Sequence, residues 1–429
     1  MSGANSEAAA SMSAGGKQVE ASILPQRTTR ERLYSVDLLR GIAMVVMALD
    51  HVRDFMTYYR FVPEDLTQTT LALFFTRWVT HFCAPAFFFL AGTGAYLSAS
   101  RGKTTAELSS FLWKRGLWLV ILEGTIVGIA WTFIPGAGFL FGGVLWCLGW
   151  SMVVLAVLVR LPFGCIAAFG LGSIFLHNLM DTVTPQMFGG YGWIWQLLHQ
   201  PGLIPIHGQV GFFVLYALVP WTGVMATGFV FGAILKKPAA ERRRWLWAIG
   251  GGATALFLLL RLTNVYGNPP VATAFIPWAA GPFVVQPTWQ KTLIAFLDTT
   301  KYPPSLQFLC MTLGPAIMAL ACFDRLDING ATGRVAQKLI IFGRVPLFFY
   351  VLHLYAAHIV AILAGLALGQ PVRWLLWGGF FLNAPPPGTG HGLPMIYAAW
   401  IAICVLLYFP CNWFAGVKAR RTDWWLSYL

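Results

Sequence analysis

Long apolar runs dominate this sequence, and they restrict the fold more than any other feature. Hydrophobic residues make up 57% of the 429 positions and charged residues only 10%, whereas a soluble globular protein carries roughly 25% charged residues. In hydrocarbon every backbone N–H and C=O needs an internal partner, which a helix of ~20 residues provides as it crosses the membrane. The runs therefore predict an all-α, polytopic transmembrane helix bundle of about ten spans, with a range of roughly nine to eleven. The predicted spans are residues 35–57, 71–98, 112–133, 138–159, 163–180, 209–235, 244–262, 304–323, 339–367 and 394–416.

The basic residues are grouped in the segments on one side of these spans. They occur in the N-terminal tail, in the loop around Arg101, before the seventh span and at the C-terminal end, whereas residues 178–208 contain none. By the positive-inside rule, this asymmetry predicts that both termini lie in the cytoplasm. Topology thus accounts for the net charge of +13. The lipid bilayer is an expected partner, and nucleic acid is not.

The remaining sequence features predict one domain without a bound metal. Residues 1–30 are rich in Ala, Ser and Gly and have no apolar core region, which favours a disordered cytoplasmic tail over a signal peptide. Residues 31–429 show no repeat and are predicted to form a single transmembrane domain. The seven cysteines form no Cys-x-x-Cys pair, and no Walker A loop, dinucleotide fingerprint or His-Glu-x-x-His motif occurs. We therefore expect no metal site and no tightly bound cofactor.

Four ionisable residues mark the two ends of the first span. Asp37 and Arg40 precede the apolar run 41–49, and Asp50 and His51 follow it. The eleven-residue separation of Arg40 and His51 is about 16 Å along a helix, or nearly three turns, so both side chains are expected on one face. Ionisable groups in spans usually face a protein interior or a watery cavity. We take all four as candidate catalytic residues, while an interfacial ion pair of Asp37 with Arg40 is the simpler alternative for those two.

Further polar residues lie within other predicted spans. Glu123 is the only carboxylate in the run 117–125, where it must be protonated, paired or hydrated. Tyr350 and His353 share a helix face, and His81 lies in the second span. Each of these residues could instead be an interhelical hydrogen-bonding group. The functional interpretation makes Glu123 and His353 catalytic candidates and places His81 and Tyr350 at a substrate site.

One loop adds two candidates for contact with a substrate. Lys301 and Tyr302 lie in the segment 299–305, which is otherwise poor in charge. The predicted topology places this segment outside the membrane on the far side. Ordinary turn chemistry is the alternative explanation for such a loop.

Several motifs resemble those of a known family. The run from Arg32 to Ala43, continued to His51, resembles the opening of the heparan-alpha-glucosaminide N-acetyltransferase-like membrane proteins. Its Arg-x10-His spacing is similar to that of the broader membrane acyltransferases that O-acylate cell-surface sugars. The segments 87–93, 343–353 and 424–429 are similar to the bacterial branch of the first group.

The resemblance implies an integral membrane acetyltransferase of the bacterial inner membrane. Such an enzyme would move an acetyl or acyl group from cytoplasmic acetyl-CoA, its co-substrate, to a sugar-like or cell-envelope acceptor at or across the membrane. The animal lysosomal enzyme is thought to use a histidine in the lumenal loop after its first shared span. The corresponding loop, residues 55–70, contains no histidine, so His51 is the candidate in its place. The residues proposed to hold acetyl-CoA are Arg40, Arg101, Arg115 and Arg344.

Two other classes of protein remain open at this stage. A transporter or carrier of a small polar or lipid-linked molecule also has ionisable residues in its spans and helices broken by Gly and Pro. A scaffold or sensor without turnover is the third alternative, and a homo-oligomer is compatible with each. Convergence of Arg40, His51 and either Glu123 or His353 on one cavity would favour the enzyme.

Overall fold

The structure is a computed structural model that describes residues 33–207, 210–268, 280–327, 330–377 and 385–428. The predicted tail, residues 1–30, lies outside this part of the chain. The described residues are mainly helical, as the apolar runs predict, and the all-α helix bundle is confirmed. The residues from Tyr34 onward pack as one compact unit.

The helices follow the predicted spans closely. In chain order they are α1 (Tyr34–Met56), α2 (Leu71–Trp78), α3 (Cys83–Ala99), α4 (Thr105–Leu122), α5 (Gly128–Thr132), α6 (Val144–Leu158), α7 (Phe163–Leu176), α8 (Gly192–Leu198), α9 (Leu218–Leu235), α10 (Ala239–Thr263), α11 (Trp289–Leu297), α12 (Leu306–Phe323), α13 (Ala331–Arg344), α14 (Pro346–Ala367), α15 (Arg373–Leu376) and α16 (Leu393–Arg420). Short 3₁₀ turns at Val79–Phe82, Ala137–Leu140, His177–Met180, Pro185–Tyr191 and Trp424–Ser427, and one π turn at Glu123–Val127, continue or connect them.

Eight helical stretches in the described chain are long and apolar enough to cross a membrane. They are Leu71–Ala99, Thr105–Thr132, Phe163–Met180, Leu218–Leu235, Ala239–Thr263, Leu306–Phe323, Pro346–Ala367 and Leu393–Arg420. α1 has a comparable length of 23 residues but carries more charge, and α6 is shorter at 15 residues. The protein is therefore a multi-pass membrane protein. The total of ten spans and the cytoplasmic termini remain predictions.

Burial separates the central helices from the peripheral ones. In their most apolar windows, α12 is 72% buried and α9 is 67% buried, whereas α10 and α16 are only 22% buried. The exposed residues of α10 and α16 include Leu259, Val405 and Phe409. In a membrane protein such an apolar outer surface is the expected contact with lipid.

Three predicted spans differ from the observed helices. The prediction of helix at the start of span 138–159 is wrong, because Phe141–Gly142 forms strand β1 and α6 begins only at Val144. The prediction of helix at the start of span 209–235 is wrong, because Val210–Val214 forms strand β3 and α9 begins only at Leu218. β3 pairs with β1 (Phe141–Gly142) in parallel and with β2 (Gly202–His207) in antiparallel orientation. The predicted span 339–367 is divided between α13 and α14, since Pro346 lacks a backbone N–H and begins a new helix.

Two glycines allow the backbones of α1 and α13 to touch. A Cβ atom on Gly41 would lie 2.0 Å from the carbonyl oxygen of Leu339, and one on Gly343 would lie 1.9 Å from that of Asp37. Small residues commonly permit such close packing between membrane helices. The contact brings the start of α1 against the end of α13.

Candidate active site

A pair of histidines links α1 to α14 inside the bundle. Nδ1 of His51 lies 2.7 Å from Nε2 of His353, and the two rings are stacked with their centroids 5.0 Å apart. The rings of Trp131 and Tyr350 meet His51 edge-on at centroid distances of 5.0 and 6.3 Å. His353 is fully buried, whereas His51 is half-buried. The pair is therefore held in a defined orientation with one ring more accessible than the other.

The hydrogen bonds around this pair determine where its protons lie when both rings are neutral. Nδ1 of His353 is 3.0 Å from the carbonyl oxygen of Phe349, which can only accept, so Nδ1 must be the donor. Nε2 of His353 is then an acceptor, and Nδ1 of His51 donates to it. The remaining nitrogen, Nε2 of His51, carries a lone pair and has no hydrogen-bond partner in the described part of the chain. It is available as a general base.

A cavity of about 310 Å³ follows the same faces of α1 and α14. Arg40 and Met44 line the cavity on α1. His51 lies two helical turns beyond Met44 and therefore on the same face of α1. On α14, Leu347 and Tyr350 line the cavity, and His353 lies one turn beyond Tyr350. The two helices thus extend from the cavity to the histidine pair.

Four basic side chains border this cavity, and its other walls are mainly apolar. Arg40 also donates to the carbonyl oxygen of Gly343 and pairs with Asp37 at 3.3 Å, so the predicted interfacial ion pair is present in addition to the cavity contact. The Arg115 guanidinium donates to the backbone carbonyl of Ser427. The four basic lining residues are Arg40, Arg115, Arg344 and Lys418. Such a cluster fits an anionic group such as a phosphate.

A buried ionic network occupies the other end of α1. Asp50 lies between two guanidinium groups, with Arg53 at 2.9 Å and Arg77 at 2.5 Å. Arg77 also binds Glu64 at 3.0 Å, and Nε2 of His81 is 3.3 Å from the same carboxylate. Asp50 and His81, which the sequence marks as site candidates, therefore belong to this network, and His81 is only 2% exposed. Paired charges of this kind hold α1, α2 and the loop between them together.

Glu64 shows the electrostatic strength of the network. Burial alone would raise the pKa of its carboxyl group, but the Arg77 guanidinium and the hydrogen bond from His81 outweigh this effect. The pKa of Glu64 is consequently held well below its usual range. Glu64 therefore remains ionised and keeps Arg77 in place.

The other sequence candidates are distributed differently. Glu123 is buried against Gly143 and begins the π turn that joins α4 to α5, but no described contact joins it to His51. Arg101 is exposed in the turn after α3 and does not line the cavity. Lys301 is 8% exposed, and its ammonium lies 5.2 Å from the ring of Tyr302. The hydroxyl of Tyr302 lies 3.5 Å from that of Tyr216.

Residues in three places were not among the predicted site residues, although Arg77, His177 and Asp181 are visible in the sequence as polar groups in or beside the spans. Arg53, Glu64 and Arg77 form the ionic network, and their compensating signs in and near the first two spans were the available signal. Lys418 joins the cavity from the last helix, and nothing in its local sequence distinguishes it from a topology-determining lysine. The structure also brings His177, Asp181 and His199 together, although their spacing matches no metal motif.

The fold and the site together define a multi-pass helical membrane protein with a histidine pair beside a cavity bordered by basic side chains. A model of the family described as heparan-alpha-glucosaminide N-acetyltransferase, catalytic, matches residues 32–265, which is more than half of the chain. The chain belongs to this family, and the resemblance noted above is confirmed at that level. The match includes His51 and Arg115 but ends before Arg344 and His353. No curated protein matches the chain.

Proposed function

We propose that this protein is a membrane acetyltransferase that takes the acetyl group from cytoplasmic acetyl-CoA and transfers it to a sugar-like acceptor of the cell envelope. The observation that carries the proposal is the cavity that connects four basic side chains with the face bearing the His51–His353 pair. Family membership supports acetyl transfer as the reaction. The bacterial inner membrane is the proposed location.

The basic end of the cavity is the proposed binding site for the donor. Arg115 and Arg344 would bind the phosphates of acetyl-CoA, because guanidinium groups form paired hydrogen bonds with phosphate oxygens. A cavity of about 310 Å³ is at the small end of the range for ligand pockets, roughly 300–1,000 Å³. It suits the narrow thioester arm, while the nucleotide stays outside among the basic residues. The thioester would then reach Tyr350 and the histidine pair.

His51 is the proposed general base. Its free Nε2 would take the proton from an acceptor hydroxyl or amine as the acceptor oxygen or nitrogen attacks the thioester carbonyl carbon. A new C–O or C–N bond forms, the C–S bond breaks, and the proton returns to the leaving thiolate as CoA-SH. His353 would accept the Nδ1 hydrogen bond of His51 throughout and stabilise the imidazolium form. Transfer through an acetylated His51 is the two-step alternative with the same overall balance.

The acceptor is proposed to approach from the opposite end of α1. Lys301 acts electrostatically on both Asp50 and His51, so its ammonium group lies near the proposed reaction centre. Lys301 and Tyr302 could donate hydrogen bonds to acceptor hydroxyl or anionic oxygens. His81 and Asp50 would act indirectly, because they position Arg77 and the surrounding network.

The proposal is tested with purified protein and acetyl-CoA labelled in the acetyl group. Incubation with a cell-envelope fraction should release CoA and place the label on an envelope component. A carrier would instead move label into sealed vesicles while the thioester remains intact. Absence of both CoA release and label transfer, with a folded protein and several envelope fractions, would contradict the enzyme.

A further inference from the structure

A second cluster of histidine and carboxylate groups lies apart from the proposed active site. His177 begins the 3₁₀ turn that follows α7, and Asp181 caps the end of that turn. His199 directly follows α8. The two histidines are 1% and 2% exposed, and the Asp181 side chain is 3% exposed. Two imidazoles and one carboxylate are a common donor set for a divalent transition metal.

The spacing of these three groups is close to that of a coordination sphere. Nε2 of His199 lies 3.4 Å from Nδ1 of His177 and 3.6 Å from Oδ1 of Asp181. All three ligand atoms lie within 4.8 Å of one another. Metal–ligand bonds of about 2.0–2.2 Å at tetrahedral angles place ligand atoms roughly 3.3–3.6 Å apart. Only small movements would therefore bring the three atoms around one ion.

The surroundings orient the carboxylate toward the histidines. The side-chain amide of Asn178 donates to Oδ2 of Asp181 at 2.7 Å, and its own oxygen accepts from the backbone N–H of Leu306 at 2.9 Å. This leaves Oδ1 of Asp181, which is buried and has no hydrogen-bond partner in the described part of the chain. A supporting amide that fixes a ligating carboxylate is typical of metal sites.

We propose that His177, Asp181 and His199 bind one divalent transition-metal ion, with Zn²⁺ as the best-fitting ion. The ion would be held by Nδ1 of His177, Nε2 of His199 and Oδ1 of Asp181. It would join the end of α7 to the end of α8, and through Asn178 to the start of α12. Without an ion, Nε2 of His199 is 3.0 Å from the carbonyl oxygen of His177 and can donate to it, so binding requires loss of that proton.

The direct test is metal content and affinity of the full-length protein purified in detergent. After treatment with chelator and reloading with Zn²⁺, elemental analysis should find about one tightly held ion per chain. His199→Gln and Asp181→Asn should weaken binding at least tenfold. His207→Gln removes an exposed histidine at the end of strand β2 and should leave binding unchanged. Equal Zn²⁺ binding by the wild type and both ligand variants would overturn the site.

A second measurement uses only the wild-type protein and does not depend on the folding of a variant. Co²⁺ in a low-coordinate nitrogen and oxygen site gives strong visible absorption, and Zn²⁺ binding should raise the thermal unfolding midpoint by several degrees, whereas Mg²⁺ should not. A wild-type protein with no Co²⁺ absorption and no Zn²⁺-dependent shift in midpoint would also overturn the proposal.

Discussion

At the scale of single residues, the proposed chemistry depends on one hydrogen bond between two imidazoles. His353 uses its Nδ1 hydrogen for the Phe349 carbonyl, which obliges His51 to donate from Nδ1 and leaves its Nε2 free. Orientation by a second group is what a catalytic histidine needs, because the wrong tautomer cannot accept a proton at the reacting position. The sequence alone contains no sign of this contact between residues 302 positions apart.

Substitution of His353 should separate positioning from folding. His353→Phe removes the acceptor for Nδ1 of His51 and should reduce kcat for acetyl transfer by about 10- to 100-fold, while the KM for acetyl-CoA changes little. His353→Gln keeps an oxygen that can accept this hydrogen bond and should recover part of the loss. The measurement is steady-state CoA release across a range of pH. Equal activity of the Phe and Gln variants would show that the hydrogen bond is unimportant.

The basic residues at the cavity should act on donor binding. Arg344→Ala and Arg115→Ala each remove a charge-assisted contact worth about 1.5–3 kcal/mol, which corresponds to a rise in KM for acetyl-CoA of roughly 10- to 150-fold. Lys114→Ala is the matched control, because Lys114 adjoins Arg115 but is exposed and does not line the cavity. The measurement is the affinity and the KM for acetyl-CoA of the wild type and the three variants. An effect of Lys114→Ala as large as that of Arg115→Ala would argue for a general surface charge effect.

The charge network predicts a pH-dependent stability that can be assigned to Glu64. Because the pKa of Glu64 is lowered in the fold, its contribution is complete above its ordinary value of 4.5 and is lost as the pH falls below that value. Glu64→Gln leaves Arg77 without this partner and should cost about 3–5 kcal/mol at pH 7. The difference in thermal midpoint between wild type and variant should narrow in acid.

The control for this experiment is a carboxylate on the protein surface. Glu241 is exposed and pairs with Lys237, so Glu241→Gln should change the midpoint little at either pH. If the difference in thermal midpoint between wild type and Glu64→Gln is the same at pH 7 and in acid, the pH-dependent stability does not come from Glu64.

At the scale of helices, the contact between α1 and α13 positions the basic end of the cavity. Because Gly343 has no side chain, α1 can approach α13 closely. A Cβ atom at position 343 would lie 1.9 Å from the Asp37 carbonyl oxygen. The carbonyl of Gly343 accepts from Arg40. The glycine therefore serves both the packing and the placement of a proposed donor-binding side chain.

Gly343→Ala should consequently separate the two helices. The expected cost is about 1–3 kcal/mol, as for other overpacked positions, together with weaker acetyl-CoA binding. Gly252→Ala is the control, since a Cβ atom there meets nothing within 4 Å, and it should leave stability unchanged or slightly increased. Thermal unfolding in detergent and acetyl-CoA binding provide the readouts. Full stability of Gly343→Ala would mean that the helix contact is looser than the structure indicates.

The helices were more predictable from the sequence than the contacts between them. Apolar length determines where a chain can cross a membrane, so α7 coincides with the predicted span 163–180 once its terminal 3₁₀ turn is included. The strand Val210–Val214 is equally apolar, and hydropathy cannot distinguish it from the start of a helix. The helix face shared by Arg40 and His51 follows from 3.6 residues per turn. The partner of His51 does not, because it depends on how α1 and α14 pack.

At the scale of the whole molecule, the two ends of α1 differ in chemistry. One end adjoins a cavity bordered by Arg344 and other cations, and the other end is built into a network of paired charges around Asp50. The histidine pair lies at the network end of α1, because His51 directly follows Asp50. This polarity supports a donor and an acceptor that approach from opposite sides, as expected for transfer across a membrane.

The direction of acetyl transfer can be measured as CoA release by protein reconstituted into vesicles of known orientation, with acetyl-CoA supplied on one face at a time and an envelope acceptor present. We expect CoA release only when acetyl-CoA meets the face that bears Arg344. The rate of CoA release should fall at least 100-fold in His51→Gln and should not fall in His207→Gln, a variant at an exposed histidine. Equal rates for the wild type and His51→Gln would contradict the role of His51 as general base, and activity only from the opposite face would contradict donor binding at Arg344.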